Sequence, residues 1–275
     1  MKLFITGANG FIGSNFINVA HSRDVEILAM CRTTRTPTVL LDREPTWIRK
    51  SYSDLLPSDF DGCDVLIHLA AHSANVPYDS LEECIVQNVV EPLKMLRTAI
   101  TAGVSKFLIA GTGFEYGRSA KCFESIPTTA SLEPQLSYPA SKAAASVVFS
   151  ALAEESRTKF IVARLFQIFG PGESPNRFWP SLKFAAENGL DFNMSSGMQT
   201  KDFLHVEDAC AKLLSLCDDF SHDDPYVVRH IGSGNPQTLR EFAEHWWQTF
   251  NASGKLIFGA VSNRPNEINR YVPLL

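Results

Sequence analysis

What the chain lacks narrows it first. Its 275 residues contain no apolar run near the roughly 18 residues of a membrane span, so no membrane partner is expected. The six cysteines (Cys31, Cys63, Cys84, Cys122, Cys210 and Cys217) include no Cys-x-x-Cys pair. That scatter argues against a zinc site or a disulfide framework and for a reducing cytoplasm, and no metal is expected. No basic tract stands out, and a net charge of −5 argues against nucleic acid as the main partner. Met1-Lys2 leads straight into the first predicted strand, so the expectation is a cytoplasmic protein with no signal peptide. Neither an internal repeat nor a low-complexity tract breaks the chain. What is present, 45% hydrophobic and 20% charged residues, can bury a substantial core. It suits one large α/β unit, or one unit with a small lobe.

The most informative stretch is Phe4-Ile5-Thr6-Gly7-Ala8-Asn9-Gly10-Phe11-Ile12-Gly13. A strand-like apolar run stops at Thr6, glycines recur at three-residue spacing, and a helical pattern follows with Phe16, Ile17 and Ala20 on one side. In a strand–turn–helix that approaches a dinucleotide, one glycine makes the turn. A second lets the backbone near the pyrophosphate, and a third lets helix and strand pack closely. Gly7, Asn9, Gly10, Phe11, Ile12 and Gly13 are therefore expected to hold a dinucleotide against the helix N-terminus. A second strand is predicted over 25–31. An NAD-binding fold carries Asp or Glu at this strand end, on the ribose 2′-hydroxyl, whereas an Arg there accommodates a 2′-phosphate. Here no acid is present, and Arg32 with Arg35 favours NADP(H) over NAD(H).

Residues 37–57 read as irregular, with Asp54 and Leu55 placed to line the adenine. Residues 64–71 read as a buried parallel strand in which Leu69, Ala70 and Ala71 let the cofactor pass. His68 in mid-strand reads as a packed structural histidine. A long helix is predicted over 81–102, kinked at Pro92, followed by a strand over 104–110. That strand delivers Gly111-Thr112-Gly113-Phe114-Glu115-Tyr116-Gly117 to the carboxyl edge of the sheet, where open α/β sheets bind ligands. Ser137-Tyr138-Pro139-Ala140-Ser141-Lys142 then opens a helix. Tyr138 and Lys142, four apart, share one helix face. A neighbouring ammonium favours an ionised phenol, so Lys142 is expected to lower the Tyr138 pKa into an acid–base range. Thr112 could place a hydroxyl beside the same substrate oxygen.

At this point the chain resembles the extended short-chain dehydrogenase/reductase family of nucleotide-sugar epimerases, dehydratases and reductases. The resemblance rests on Thr6-Gly7-x-x-Gly10-Phe11-Ile12-Gly13, Thr112 with Tyr116-Gly117, Tyr138-x-x-x-Lys142, Arg164 to Gly172, and Lys201-Asp202-Phe203 through Asp208. It implies an α/β Rossmann-like doubly wound parallel sheet with a small interleaved C-terminal substrate lobe. Residues 1–168 would form the dinucleotide-binding domain, joined by about 203–232, and 169–202 with 233–275 the lobe. It further implies Thr112, Tyr138 and Lys142 as catalytic residues, Tyr138 and Lys142 also meeting the cofactor, with Leu165 and Phe166 flanking the nicotinamide end. A homodimer is implied too. Phe203–Leu216 is expected to return to the main sheet with its helix.

Departures from the family pattern refine the expectation. Family dehydratases carry an acidic pair directly after the catalytic Ser or Thr, where this chain has Gly113-Phe114, which argues against a 4,6-dehydratase. Gln167 stands for the usual Asn and could hold a substrate hydroxyl. Lys201 stands for the usual Arg, keeping a cation but losing the bidentate fork. Arg177 and Arg264 are further candidates for a diphosphate, and Phe114 for the sugar. The chain ends at Leu275, short for the family, which suggests a small or incomplete lobe. The reading is NADPH-dependent reduction of a CDP- or dTDP-linked 4-keto-6-deoxyhexose. A 4-epimerase that retains NAD and a non-catalytic NADP-sensing regulator stand as alternatives.

Overall fold

The structure, a computed structural model, describes residues 1–32, 36–262 and 268–275. Its first half runs β1 (Lys2–Thr6), α1 (Phe11–Ala20), β2 (Glu26–Cys31), β3 (Thr46–Arg49), β4 (Val65–His68), α2 (Leu81–Ile85), α3 (Glu91–Thr101) and β5 (Lys106–Thr112). There follow α4 (Ser137–Ser156), β6 (Lys159–Leu165), β7 (Gln167–Phe169), α5 (Phe178–Glu187), β8 (Phe192–Met194), β9 (Thr200–His205) and α6 (Val206–Leu216). The chain closes with β10 (Tyr226–Ile231), β11 (Pro236–Thr238), α7 (Leu239–Thr249), β12 (Leu256–Phe258) and β13 (Arg270–Tyr271).

Seven parallel strands form the main sheet in the order β10-β6-β5-β4-β1-β2-β3. Apolar strands with both faces covered explain the parallel arrangement. Leu3 and Ile5 of β1 join a cluster with Phe16 and Ile17 of α1 and Leu213 of α6, while Phe4 joins another with Leu96 of α3 and Phe149 of α4. Strand order reverses between β1 and β4. In a doubly wound sheet the ligand crevice opens at that reversal, outside the carboxyl ends of the strands.

Three local expectations need correction. The segment 37–57 is not wholly irregular, because Thr46–Arg49 adds β3 to the sheet edge beside β2. A four-residue edge strand with half-buried Trp47 and Ile48 leaves too little periodicity to be read between its turns. The long helix runs from Leu81 to Thr101 as expected, but not as a uniform α-helix: a π-helical turn at Val86–Val90 lies between α2 and α3, and Pro92 sits at the start of α3. Proline has no N–H to give the preceding turn, and just before it the ladder shifts to a π-type bond, Glu91 N donating to Val86 O. Finally, the strand of Phe203–Leu216 does not join the main sheet, although its Leu204 and the helix after it pack into the main core. Strand β9 instead pairs with β7, β11 and β13. Its Asp202 carboxylate is wholly buried and accepts the backbone N–H of Ser233 (2.5 Å) and of Gly234 (2.8 Å). Its Phe203 ring stacks on Phe242 of α7, centroids 4.0 Å apart.

A separate apolar cluster, with Trp179, Leu182, Phe203, Phe242 and Trp247, joins α5 to α7. Helix α7 begins on a reciprocal cap in which Thr238 Oγ1 accepts from Glu241 N (3.1 Å) and Glu241 accepts from Thr238 N (2.7 Å).

Candidate active site

At the strand reversal, backbone meets backbone. Gly7 has φ +69°, and a Cβ there would lie 2.6 Å from Ala70 N. At Gly13, a Cβ would come within 2.1 Å of Gly7 O. The turn therefore closes against α1 and the end of β4 only with glycine at both positions. Among the described residues no side-chain cap bond closes the start of α1 at Gly10, and first-turn N–H groups of a helix suit an anion. These features fit a dinucleotide pyrophosphate. Asn9, Gly10, Phe11 and Ile12 are half-buried around the turn, Leu69 and Ala70 are half-buried beside it, and Ala71 is exposed. His68 is the packed histidine expected, its Nδ1 2.7 Å from Thr6 Oγ1. Burial, with Lys142 nearby, brings its pKa down to about 3, so it stays neutral.

The other expected cofactor residues are less closely gathered. Arg32 is exposed at the end of β2, its Nη1 donating to Gln87 Oε1 (2.9 Å). Arg35 lies outside the described residues, as does Arg264. Asp54 is exposed and accepts from Ser51 Oγ (2.5 Å), and Leu55 is buried in the core with Met30 and Tyr52.

Strand β5 ends at Thr112, where Phe114 N donates to Thr112 Oγ1 (3.3 Å) and Thr112 N donates to Glu115 Oε1 (2.7 Å). The Glu115 carboxylate has no solvent exposure. Its Oε2 accepts from Ser146 Oγ (2.7 Å) on α4 and from Arg164 Nε (2.9 Å) on β6. Arg164 Nη1 donates onward to the Tyr116 hydroxyl (2.6 Å), which lies 2.6 Å from His230 Nε2. His230 Nδ1 faces the Leu274 carbonyl at 2.9 Å. Since a carbonyl only accepts, Nδ1 carries the proton and Tyr116 donates to Nε2. One buried chain of polar groups thus links the end of β5, α4, β6, β10 and the C-terminal tail.

Tyr138 and Lys142 sit on α4, both buried. Asn88 holds this helix in place: its Nδ2 donates to Ser141 Oγ (2.9 Å) and to the His72 carbonyl (3.1 Å). The expected fall in the Tyr138 pKa does not occur. Burial pushes its phenol up, the Glu115 and Tyr78 charges add to the rise, and Arg177 opposes it. Lys142 is itself lowered by burial, against the Glu115 carboxylate, which favours its ammonium form. Desolvation outweighs the attraction because both groups are withdrawn from water. Tyr138 is accordingly a protonated phenol at neutral pH, the form that can donate.

In front of Thr112 lies a cavity of about 230 Å³, which Leu165, Phe166 and Gln167 also line. A second, of about 360 Å³, reaches Arg177 and Asn193, and Phe114, Gln167 and Lys201 border both. Tyr138 lines neither cavity. It lies behind Tyr78, which lines both, their ring centroids 5.5 Å apart. Arg177 is held by Glu173, Nε to Oε1 3.0 Å, and reaches Asn75 Oδ1 at 3.4 Å. Sequence reasoning gave no role to Glu115, Tyr78 or Tyr271. An acid between two aromatics at a strand end was the one available signal for Glu115, and Tyr271 reaches the cavity through folding of the tail alone.

A parallel sheet with this glycine turn is a dinucleotide-binding fold. The model of the NAD dependent epimerase/dehydratase family matches residues 3–232, and the chain belongs to that family. Similar curated proteins include CDP-abequose synthase of Salmonella typhimurium (strain LT2), 24% identical over 97% of this chain and 87% of the relative. The dTDP-4-dehydro-6-deoxy-D-allose reductase of a Streptomyces species is 25% identical over 78% of this chain and 72% of its own. Among solved structures, the UDP-N-acetylglucosamine 4-epimerase of Methanobrevibacter ruminantium M1, in complex with UDP-N-acetylmuramic acid, superposes with a TM-score of 0.88. It is 20% identical, covering 100% of this chain and 89% of that one.

Proposed function

We propose that the protein reduces the C4 keto group of a 4-keto-6-deoxyhexose carried on CDP or dTDP, with NADPH as reductant. One observation carries the reading. Glu115 ties Thr112 at the cavity to the helix of Tyr138 and Lys142, while positions 113 and 114 hold no acid to remove water from the sugar. Bound NADPH would supply hydride to the carbonyl carbon. Tyr138, kept protonated by burial, would give its proton to the developing alkoxide once Tyr78 is displaced from in front of it, and the Thr112 hydroxyl would hold that oxygen. Lys142 would hold the ribose and face the phenolate left on Tyr138. Gln167 would take a sugar hydroxyl, and Arg177 and Lys201, with Arg264, the diphosphate. The names of two relatives, a CDP-sugar synthase and a dTDP-sugar reductase, support this class of substrate.

The test is nicotinamide absorbance on mixing the protein with NADPH or NADH and with CDP- or dTDP-4-keto-6-deoxyglucose. Stoichiometric oxidation of NADPH with one sugar is expected. Tyr138→Phe should lower turnover by roughly 10²–10⁴-fold while cofactor binding persists. No net oxidation, with NAD found tightly held, would replace the reductase by an epimerase. Unchanged function in Tyr138→Phe would point to a sensor.

A further inference from the structure

The cavity in front of Thr112 has one wall of aromatic carbon. Phe114 and Tyr271 have ring centroids 5.6 Å apart, and Phe166 and Tyr271 5.9 Å. Tyr271 comes from the last residues of the chain and is buried. Its hydroxyl donates to the Gly113 carbonyl, so its one polar atom is already engaged and the ring presents carbon. The tail is fixed there by further bonds: Ile126 N to Val272 O (2.8 Å), Leu274 N to Ile126 O (2.8 Å), and the His230 contact with Leu274 O. Gly113 belongs to the same construction. A Cβ at that position would meet the Phe166 ring at 3.0 Å, so an acidic residue there would displace the wall.

Resting on the reading of this cavity as the sugar site, we propose that Tyr271 is a specificity-determining residue. With Phe114 and Phe166 it forms an apolar rest for the deoxygenated carbon of the sugar and selects deoxysugars over their hydroxylated counterparts. A methyl or methylene placed there leaves water for carbon. A hydroxyl placed there leaves water for two phenyl rings and a phenol whose hydrogen is spent, so it forfeits its hydrogen bonds. Discrimination by such a surface reaches roughly ten- to a hundredfold for a single added hydroxyl.

Matched pairs test this directly: CDP-6-deoxyglucose against CDP-glucose, and the dTDP pair, each titrated by calorimetry into the protein with NADP⁺ present. The native protein should bind the 6-deoxy member of one pair roughly ten- to a hundredfold more tightly. Tyr271→Phe should keep that ratio, since the ring remains. Tyr271→Ser should collapse it to within about threefold by letting water reach the wall. Phe114→Ser, at a ring more than a third exposed and so gentler on folding, should move the ratio the same way. Equal binding of both sugars by the native protein, or an unchanged ratio in Tyr271→Ser, overturns the proposal and leaves the reductase reading standing. Failure of every nucleotide sugar to bind, with cofactor uptake intact, overturns both.

Discussion

At the ends of β1 and β4 backbone packs on backbone, whereas the cavity in front of Thr112 is lined by side chains from widely separated segments. In the first region Gly7 and Gly13 leave no room for a methyl group, and nearly everything needed lies within the first 70 residues. In the second, Phe114 follows β5, Phe166 follows β6, and Tyr271 comes from the tail. Glycine geometry tolerates one shape. Aromatic walls can change a residue at a time and still close. That difference matches the division of labour proposed above, a constant dinucleotide on one side and a variable sugar on the other. The Glu115 network underlies the second region, holding the end of β5 against α4 and β6 so that an adaptable wall has a fixed floor.

The largest expected effect is at that floor. Glu115→Ala strands the buried Arg164 guanidinium and should destabilise the fold by about 3–5 kcal/mol in chemical denaturation. A loss below about 1 kcal/mol would mean that the network does not hold the cavity. Next comes a contrast between the two regions. Gly13→Ala should cost about 1–3 kcal/mol and weaken dinucleotide binding, because its Cβ meets a carbonyl that cannot move aside. Phe114→Leu should cost less than about 1.5 kcal/mol and leave dinucleotide binding as it was. Equal loss of dinucleotide affinity in both variants would break the comparison.

A further test is read through pH. His68 is buried in the first region, and its pKa falls from 6.5 to about 3. Between those values the unfolded chain binds a proton that the folded chain refuses. This contribution to stability is therefore complete above pH 6.5 and is lost as pH falls toward 3. The unfolding free energy from chemical denaturation should decline with a slope of up to about 1.4 kcal/mol per pH unit, and His68→Asn should flatten that decline. An unchanged slope would assign the decline to other groups.

Much of the main sheet was legible because each of its long strands is an apolar run closed by a turn, and such runs have one stable arrangement when both faces are covered. The glycine turn was legible for a stricter reason: its spacing encodes steric exclusion, which is local. Short β3 and the π turn before Pro92 were not, since four residues or one missing N–H leave little periodicity. Lys142 and Tyr138 could be paired from their spacing, but the direction of the phenol's shift could not, because spacing carries no information about water.

By itself the sequence determined the longer strands and helices, the glycine turn and the four-residue spacing of Tyr138 and Lys142, all consequences of contacts between near neighbours in the chain. Only the tertiary structure decided that β9 lies outside the main sheet, that Glu115 is buried between three elements, and that Tyr271 lines the cavity in front of Thr112. Those outcomes depend on desolvation and on packing between residues as far apart as Gly113 and Tyr271. Neither is written in the spacing of residues along the chain.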